Sequence, residues 1–232
     1  MNIELATKVT EKIKLGDTAS ADTRYTFTVQ FLQGSAIFVR RLRKLEQAET
    51  WSEEDQTEHR ALASAVVMQC AAALETETHE VAVHGPGAHL GSNGVDSEAQ
   101  RFLEPIAAII DRQSTLDRFA LILHLLEKGK LNTGAESYEN ASLVVRLRNE
   151  ITHYKSLWGE QMERSKLFSR LESKHHRPPP FTDPSMNFFP LRCLSADCAE
   201  WALSSTVAFL EHFYVALGVP SRFLHCRDSL NP

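Results

Sequence analysis

Helix breakers fall in clusters along this chain, and the long stretches between them leave it few ways to fold. Neither glycine nor proline occurs in residues 35–84, 106–128, 135–158, 160–177 or 191–217. These two residue types are the strongest local punctuation of secondary structure, and strand-to-strand turns depend on them. An all-α chain is therefore expected, an up-and-down helical bundle of four to six helices in which the breakers mark the ends. The bundle is predicted over residues 23–218, preceded by an arm over 1–22 and followed by a tail over 219–232.

Patterns inside the windows agree. Ser52-Glu53-Glu54-Asp55 has the shape of a capping box, and the ALASAVVMQCAAALE segment after it is rich in small apolar residues, as a central helix packed on several sides would be. Ahead of it Ala36, Val39, Leu42 and Leu45 recur at three- and four-residue spacing, predicting a helix over 28–46. Residues 25–31 also alternate like a strand; the longer helical stripe is preferred. Helices are expected over 98–111, 116–128, 137–158 and 195–217, the last closing at Gly218-Val219-Pro220. Residues 85–94 and 175–184 read as loops, and the first lacks the lysine of a phosphate-binding loop.

A composition of 43% hydrophobic and 24% charged residues is that of a globular protein, which excludes disordered and fibrous classes. With 25 basic and 30 acidic residues the net charge is −5, so a polyanion must be met by a local basic patch. Cys70, Cys193, Cys198 and Cys226 form no Cys-x-x-Cys and are too sparse for a disulfide framework, which points to a reducing, cytoplasmic setting. The N-terminal residues interleave acids with lysines where an export signal needs an apolar run. The longest uncharged run free of glycine and proline, Ala61 to Leu74, is 14 residues, and no uncharged run exceeds 15, short of the roughly 20 that a bilayer span needs, so no membrane partner is expected.

The segment LVVRLRNEITHYKSLW, 143–158, carries the most chemistry. On an ideal helix at about 100° per residue, a buried stripe centred on Ile151 includes Leu147 and Trp158. Asn149 and His153 then fall together on the opposite face, with Arg148 on the flank. An imidazole moves protons near neutral pH, a guanidinium clamps a phosphate in bidentate fashion, and a carboxamide orients either. The set suits phosphodiester chemistry and calls for no metal or cofactor. A solvated face braced by an Arg146–Glu150 pair accounts for the same spacing.

RNEITH, 148–153, resembles the Arg-(Asn/Asp/His)-x-x-x-His motif of the HEPN superfamily, the helical domains named for higher eukaryotes and prokaryotes nucleotide-binding. The small-residue helix ending in Leu74-Glu75, the Ser137-Tyr138-Glu139 lead-in and His153-Tyr154 resemble the motif's surroundings. The resemblance implies a HEPN-like homodimer and, in active members, metal-independent endoribonuclease activity in toxin–antitoxin or phage-defence settings. It casts His153 as the proton-transfer residue, Arg148 as the phosphate binder and Asn149 as the orienting group, with two motif helices meeting across the dimer. Some toxin members carry a tyrosine two residues after the histidine that a partner nucleotidyltransferase modifies. Here that position is Lys155 and the tyrosine is Tyr154, so that route of regulation lacks its residue, while an antitoxin or nucleotidyltransferase partner stays compatible with the resemblance. A noncatalytic RNA- or nucleotide-binding module fits the same resemblance.

Supporting roles fall to Glu75, which with Glu80 lies on the central helix and could position Arg148 or His153, and to Glu150 and Tyr154. Arg40, Arg41, Arg43 and Lys44, with Arg146 and Lys155 beside the motif, are the candidate RNA contacts; a solvated helix end explains the first four equally. His79, His84 and His89 recur every five residues, but a glycine-rich loop promises no zinc geometry. Cys193 and Cys198 are expected as buried thiols.

Overall fold

A computed structural model of the chain describes residues 26–90, 96–154 and 165–231. Among the described residues the secondary structure is helical throughout. Helix α1 spans Phe27–Glu46, α2 Glu53–His84, α3 Ser97–Leu103, α4 Ala107–Ile110, α5 Thr115–Leu125, α6 Glu136–Thr152, α7 Lys166–Glu172, α8 Ala196–Leu217 and α9 Arg227–Leu230. Residues 27–31 are helical, so the strand-like alternation there yields to the stripe that buries Leu32, Ala36, Val39, Leu42 and Leu45.

Helix α2 starts at the expected capping box. Ser52 Oγ accepts from the Asp55 N–H at 3.1 Å, while Asp55 Oδ2 accepts from the Ser52 N–H at 2.9 Å. Two orphan donors are thus satisfied at a position where loss of the cap costs about 1 kcal/mol. The helix ends at Gly85, whose φ of 79° belongs to the left-handed region, and any Cβ there would lie 2.6 Å from Asp96 Cβ. Helix α8 is capped by Ser195 and closes at Gly218, φ 73°, as its sequence predicts.

Side-chain contacts give the helix directions. The start of α1 meets the far end of α2 through the Phe27 N–H to Glu80 Oε1, 2.8 Å, and its end meets the start of α2 through Arg41 and Glu58, 2.8 Å. Helix α6 also opposes α2, since Arg148 pairs with Glu75 while Thr152 lies against Met68. Ser137 Oγ and His212 Nδ1, 3.0 Å apart, set the start of α6 against the end of α8, and Glu46 Oε1 accepts from the Ala196 N–H at 2.8 Å, setting the start of α8 against the end of α1. The four long helices α1, α2, α6 and α8 therefore alternate in direction.

Aromatic packing fills the centre, with Phe119 edge-on to both Phe209 and Phe213 at 4.9 and 4.7 Å between centroids. Polar knots hold the two ends. At one, buried His59 Nε2 lies 2.9 Å from the Glu46 carboxylate that also receives Ala196 N–H. At the other, the Glu77 carboxylate is fully buried, accepts the Tyr214 hydroxyl at 2.6 Å and pairs with Arg222, which also pairs with Glu80. Burial pushes the Glu77 carboxyl up against the pull of Arg222. Burial likewise opposes the charge on Arg222, but the Glu77 and Glu80 carboxylates outweigh it and hold its proton more firmly than usual.

Several boundaries differ from expectation. The helix expected over 98–111 is broken into α3, a 3-10 turn at Glu104–Ile106 and α4, because Pro105 cannot donate to an α-helical ladder. The helix expected over 137–158 ends at Thr152. Residues 219–231 are no free tail: Arg222 is tied to α2, and Phe223 and Leu230 are buried in the core. Cys70, Cys193 and Cys198 are buried thiols and Cys226 is half-buried, all unpaired. Among the described residues no helix is long and apolar enough to cross a membrane.

Candidate functional site

Helix α6 is anchored by Ala141, Leu143, Val144 and Leu147, all buried. Arg148 follows Leu147 at the edge of that face and extends its guanidinium to the Glu75 carboxylate of α2. Glu75 Oε1 also accepts from Thr115 Oγ1 at 3.3 Å, so one carboxylate ties α2 to both α5 and α6. The Arg148 side chain keeps 22% of its exposure and that of Glu75 37%, leaving the pair open on one side. The supporting role expected of Glu75 is thus matched by a direct contact, while Glu80 faces the start of α1 and Arg222 instead.

His153 stands one turn past Asn149, at the very end of the helix. It caps α6 with φ −113° and ψ 34°, donating its backbone N–H to the Asn149 carbonyl at 2.8 Å. The helix unwinds one residue before the histidine, so His153 projects from the C-terminal end. Both Asn149 and His153 are exposed, and Thr152 Oγ1 lies 2.9 Å from the Arg148 carbonyl and 3.4 Å from Met68 Sδ. Ile151, expected at the centre of the buried stripe, is only partly buried; Leu147 takes that place. Lys155 and Trp158 lie outside the described residues.

Glu150 is half-buried and Arg146 exposed, and no ion pair joins them among the described residues. Tyr154 is exposed and rests against Phe189, with ring centroids 5.9 Å apart. Phe189 stacks in turn on Phe168 at 4.8 Å, and beside these rings opens a cleft of about 310 Å³ to which Arg192 contributes. Arg192 Nε is buried without a hydrogen-bond partner among the described residues.

The basic run at the end of α1 is largely occupied within the chain. Arg41 makes two hydrogen bonds to Glu58, Arg43 pairs with Asp197 and Glu200, and Arg40 donates to the Asn231 carbonyl at 2.8 Å. Lys44 is exposed. These cations serve first as bonds from α1 to α2, to α8 and to the C-terminal segment, which weakens the case for an RNA-contact patch there.

One pair was not legible in the sequence. His79, one turn beyond Glu75 on α2, sets Nδ1 3.4 Å from Asp111 Oδ2 in the α4–α5 linker. Arg118 lies 3.6 Å from the other Asp111 oxygen and donates to the Asp111 and Gln113 carbonyls at 2.7 and 3.1 Å. The i,i+4 spacing of Glu75 and His79 is visible in the sequence, but nothing local announces Asp111. His84 ends α2 and His89 sits edge-on to Tyr214. Among the described residues no three His, Cys, Asp or Glu side chains gather so as to hold a metal ion.

The arrangement offers a guanidinium already oriented by a carboxylate, an exposed carboxamide, and exposed imidazoles nearby. Those groups can bind an anionic oxygen and exchange protons with it. No protein-family model, no curated protein and no solved structure matches this chain.

Proposed function

We propose that the protein is a HEPN-like, metal-independent endoribonuclease of the toxin or phage-defence type, acting as a homodimer on RNA. The observation that carries this reading is the Glu75–Arg148 pair at the open end of α6, with Asn149 and His153 exposed beside it. Arg148 binds the scissile phosphate and stabilises the charge that builds on its oxygens. The adjacent ribose 2′-hydroxyl is the nucleophile, positioned without any cost of bringing in a second reactant. His153 takes the proton of that hydroxyl, and Asn149 orients the phosphate or the imidazole. Exposed Met68 and Tyr154 offer apolar surface at the α6 end for a second copy to bury. The net charge of −5 favours recognition of one folded RNA over degradation of bulk transcripts.

A second reading has its own support. Arg148 is already neutralised by Glu75, and a binding or interaction module would keep that pair to shape its surface. Expression of the wild type beside His153→Ala, followed by sequencing of RNA ends, separates the two. New ends with a 2′,3′-cyclic phosphate and a 5′-hydroxyl, absent in the variant, support the ribonuclease; identical ends in both favour the binding module.

A further inference from the structure

Cleavage by an internal 2′-hydroxyl needs two proton transfers, and they occur on opposite sides of phosphorus. The attacking and leaving oxygens stand roughly in line through the phosphorus atom. A proton acceptor and a proton donor must therefore flank the group that binds the phosphate. Arg148 is that group in the reading above, on which this inference rests.

Helices α2 and α6 run in opposite directions past each other, because Arg148 meets Glu75 while Thr152 meets Met68. Going from Arg148 toward His153 thus leads to lower-numbered turns of α2. His79 lies the other way, four residues beyond Glu75 on the same face, about 6 Å along the helix axis. His153 lies five residues from Arg148, about 7.5 Å along α6. Along the bundle axis the two imidazoles are accordingly displaced in opposite directions from Arg148 within one chain, with His153 about 140° further round α6.

His79 is also prepared for the role. Its Nδ1 faces Asp111, which leaves Nε2 directed away from that carboxylate, and its side chain is 58% exposed. The linker carrying Asp111 is held by the Arg118 guanidinium through the Asp111 and Gln113 carbonyls, and Thr115, a turn further on, is bonded to Glu75. One linker thus braces both the carboxylate that orients Arg148 and the imidazole one turn away.

We propose that His79, held by Asp111, is the second proton-transfer residue of this site and acts in the same chain as Arg148 and His153. His153 removes the proton of the 2′-hydroxyl as its oxygen bonds to phosphorus. The bond from phosphorus to the 5′-oxygen breaks, and protonated His79 delivers its proton to that oxygen. The products are a 2′,3′-cyclic phosphate and a 5′-hydroxyl, and each imidazole ends in the other's starting form.

The test uses a leaving group that needs no acid. His79→Ala should cut RNA about a hundredfold or more slowly than wild type, the range for loss of a general acid. On the same RNA with a 5′-sulfur at the scissile position, His79→Ala should approach the wild-type rate, because a thiolate leaves unprotonated. His153→Ala should stay slow on both. A purely structural role for His79 would slow both substrates alike, and that result, or an unaffected rate, overturns the proposal while leaving the ribonuclease reading intact. A wild type that makes no cuts overturns both. Mixing His79→Ala with His153→Ala chains should restore no activity; recovery would place the two imidazoles in different protomers.

Discussion

Helix α2 meets arginines with two carboxylates two residues apart, and their surroundings could hardly differ more. Glu77 is fully buried and Arg222 keeps 14% of its exposure, with Tyr214 and Glu80 completing the hydrogen bonds. Glu75 and Arg148 are open to solvent on one side and border exposed Asn149. Successive odd positions on a helix face directions about 200° apart, so one carboxylate turns into the bundle and the other toward its edge. A sealed charged pair is costly to break and serves assembly; an open one holds a side chain ready at little energetic consequence.

The sharpest way to break this contrast is Glu77→Ala. It removes the Tyr214 acceptor and one of the two carboxylates on buried Arg222, so a loss of roughly 3–5 kcal/mol is expected in denaturant unfolding. A loss below about 1 kcal/mol would mean that the knot is not sealed. Leu147→Ala, in the buried row beneath Arg148, should cost roughly 2–5 kcal/mol, with Ile151→Ala clearly less because it is partly exposed. Equal losses would show that α6 seats differently.

Arg148→Ala and Glu75→Ala sharpen the contrast from the open side. Each should change stability by less than about 1 kcal/mol, while Arg148→Ala lowers RNA cleavage by about 100-fold or more. Unfolding of either variant would make that pair structural and remove its functional assignment.

The smallest effect concerns pH. His176 lies against Trp201 with ring centroids 5.3 Å apart, and burial lowers its pKa despite nearby Asp197. The unfolded chain then takes up a proton before the folded one does as pH falls. Its contribution to stability is complete above the ordinary histidine value of about 6.5 and declines as pH drops toward the lowered native value. Melting curves between about pH 7 and 5 should therefore converge for wild type and His176→Gln. Parallel curves would show that this imidazole is solvated like an exposed one.

Much of the helical framework was legible because it is locally encoded. The Ser52–Asp55 box, the small-residue run of α2 and the Gly218 stop each act within a few residues. The end of α6 was less legible: apolar spacing continues through Tyr154, yet the helix stops at Thr152. Periodicity records which face could be buried, whereas the termination depends on what stands there to bury it. For that reason periodicity alone sets Ile151 deeper than it lies and carries the helix past His153, which instead caps it.

By itself the sequence determined that the described chain is helical, where the long helices begin and where two of them, at Glu46 and Leu217, end, and that Arg148, Asn149 and His153 fall within one short segment. Those properties arise from backbone propensity, capping and spacing along a single helix. Tertiary structure alone decided that Glu75 rather than Glu80 meets Arg148, that Arg222 clasps α2, that the basic run of α1 is consumed by Glu58, Asp197 and Glu200, and that His79 finds Asp111. Each of these joins residues far apart in the chain, and such partners are selected by the way helices pack, which no local pattern records.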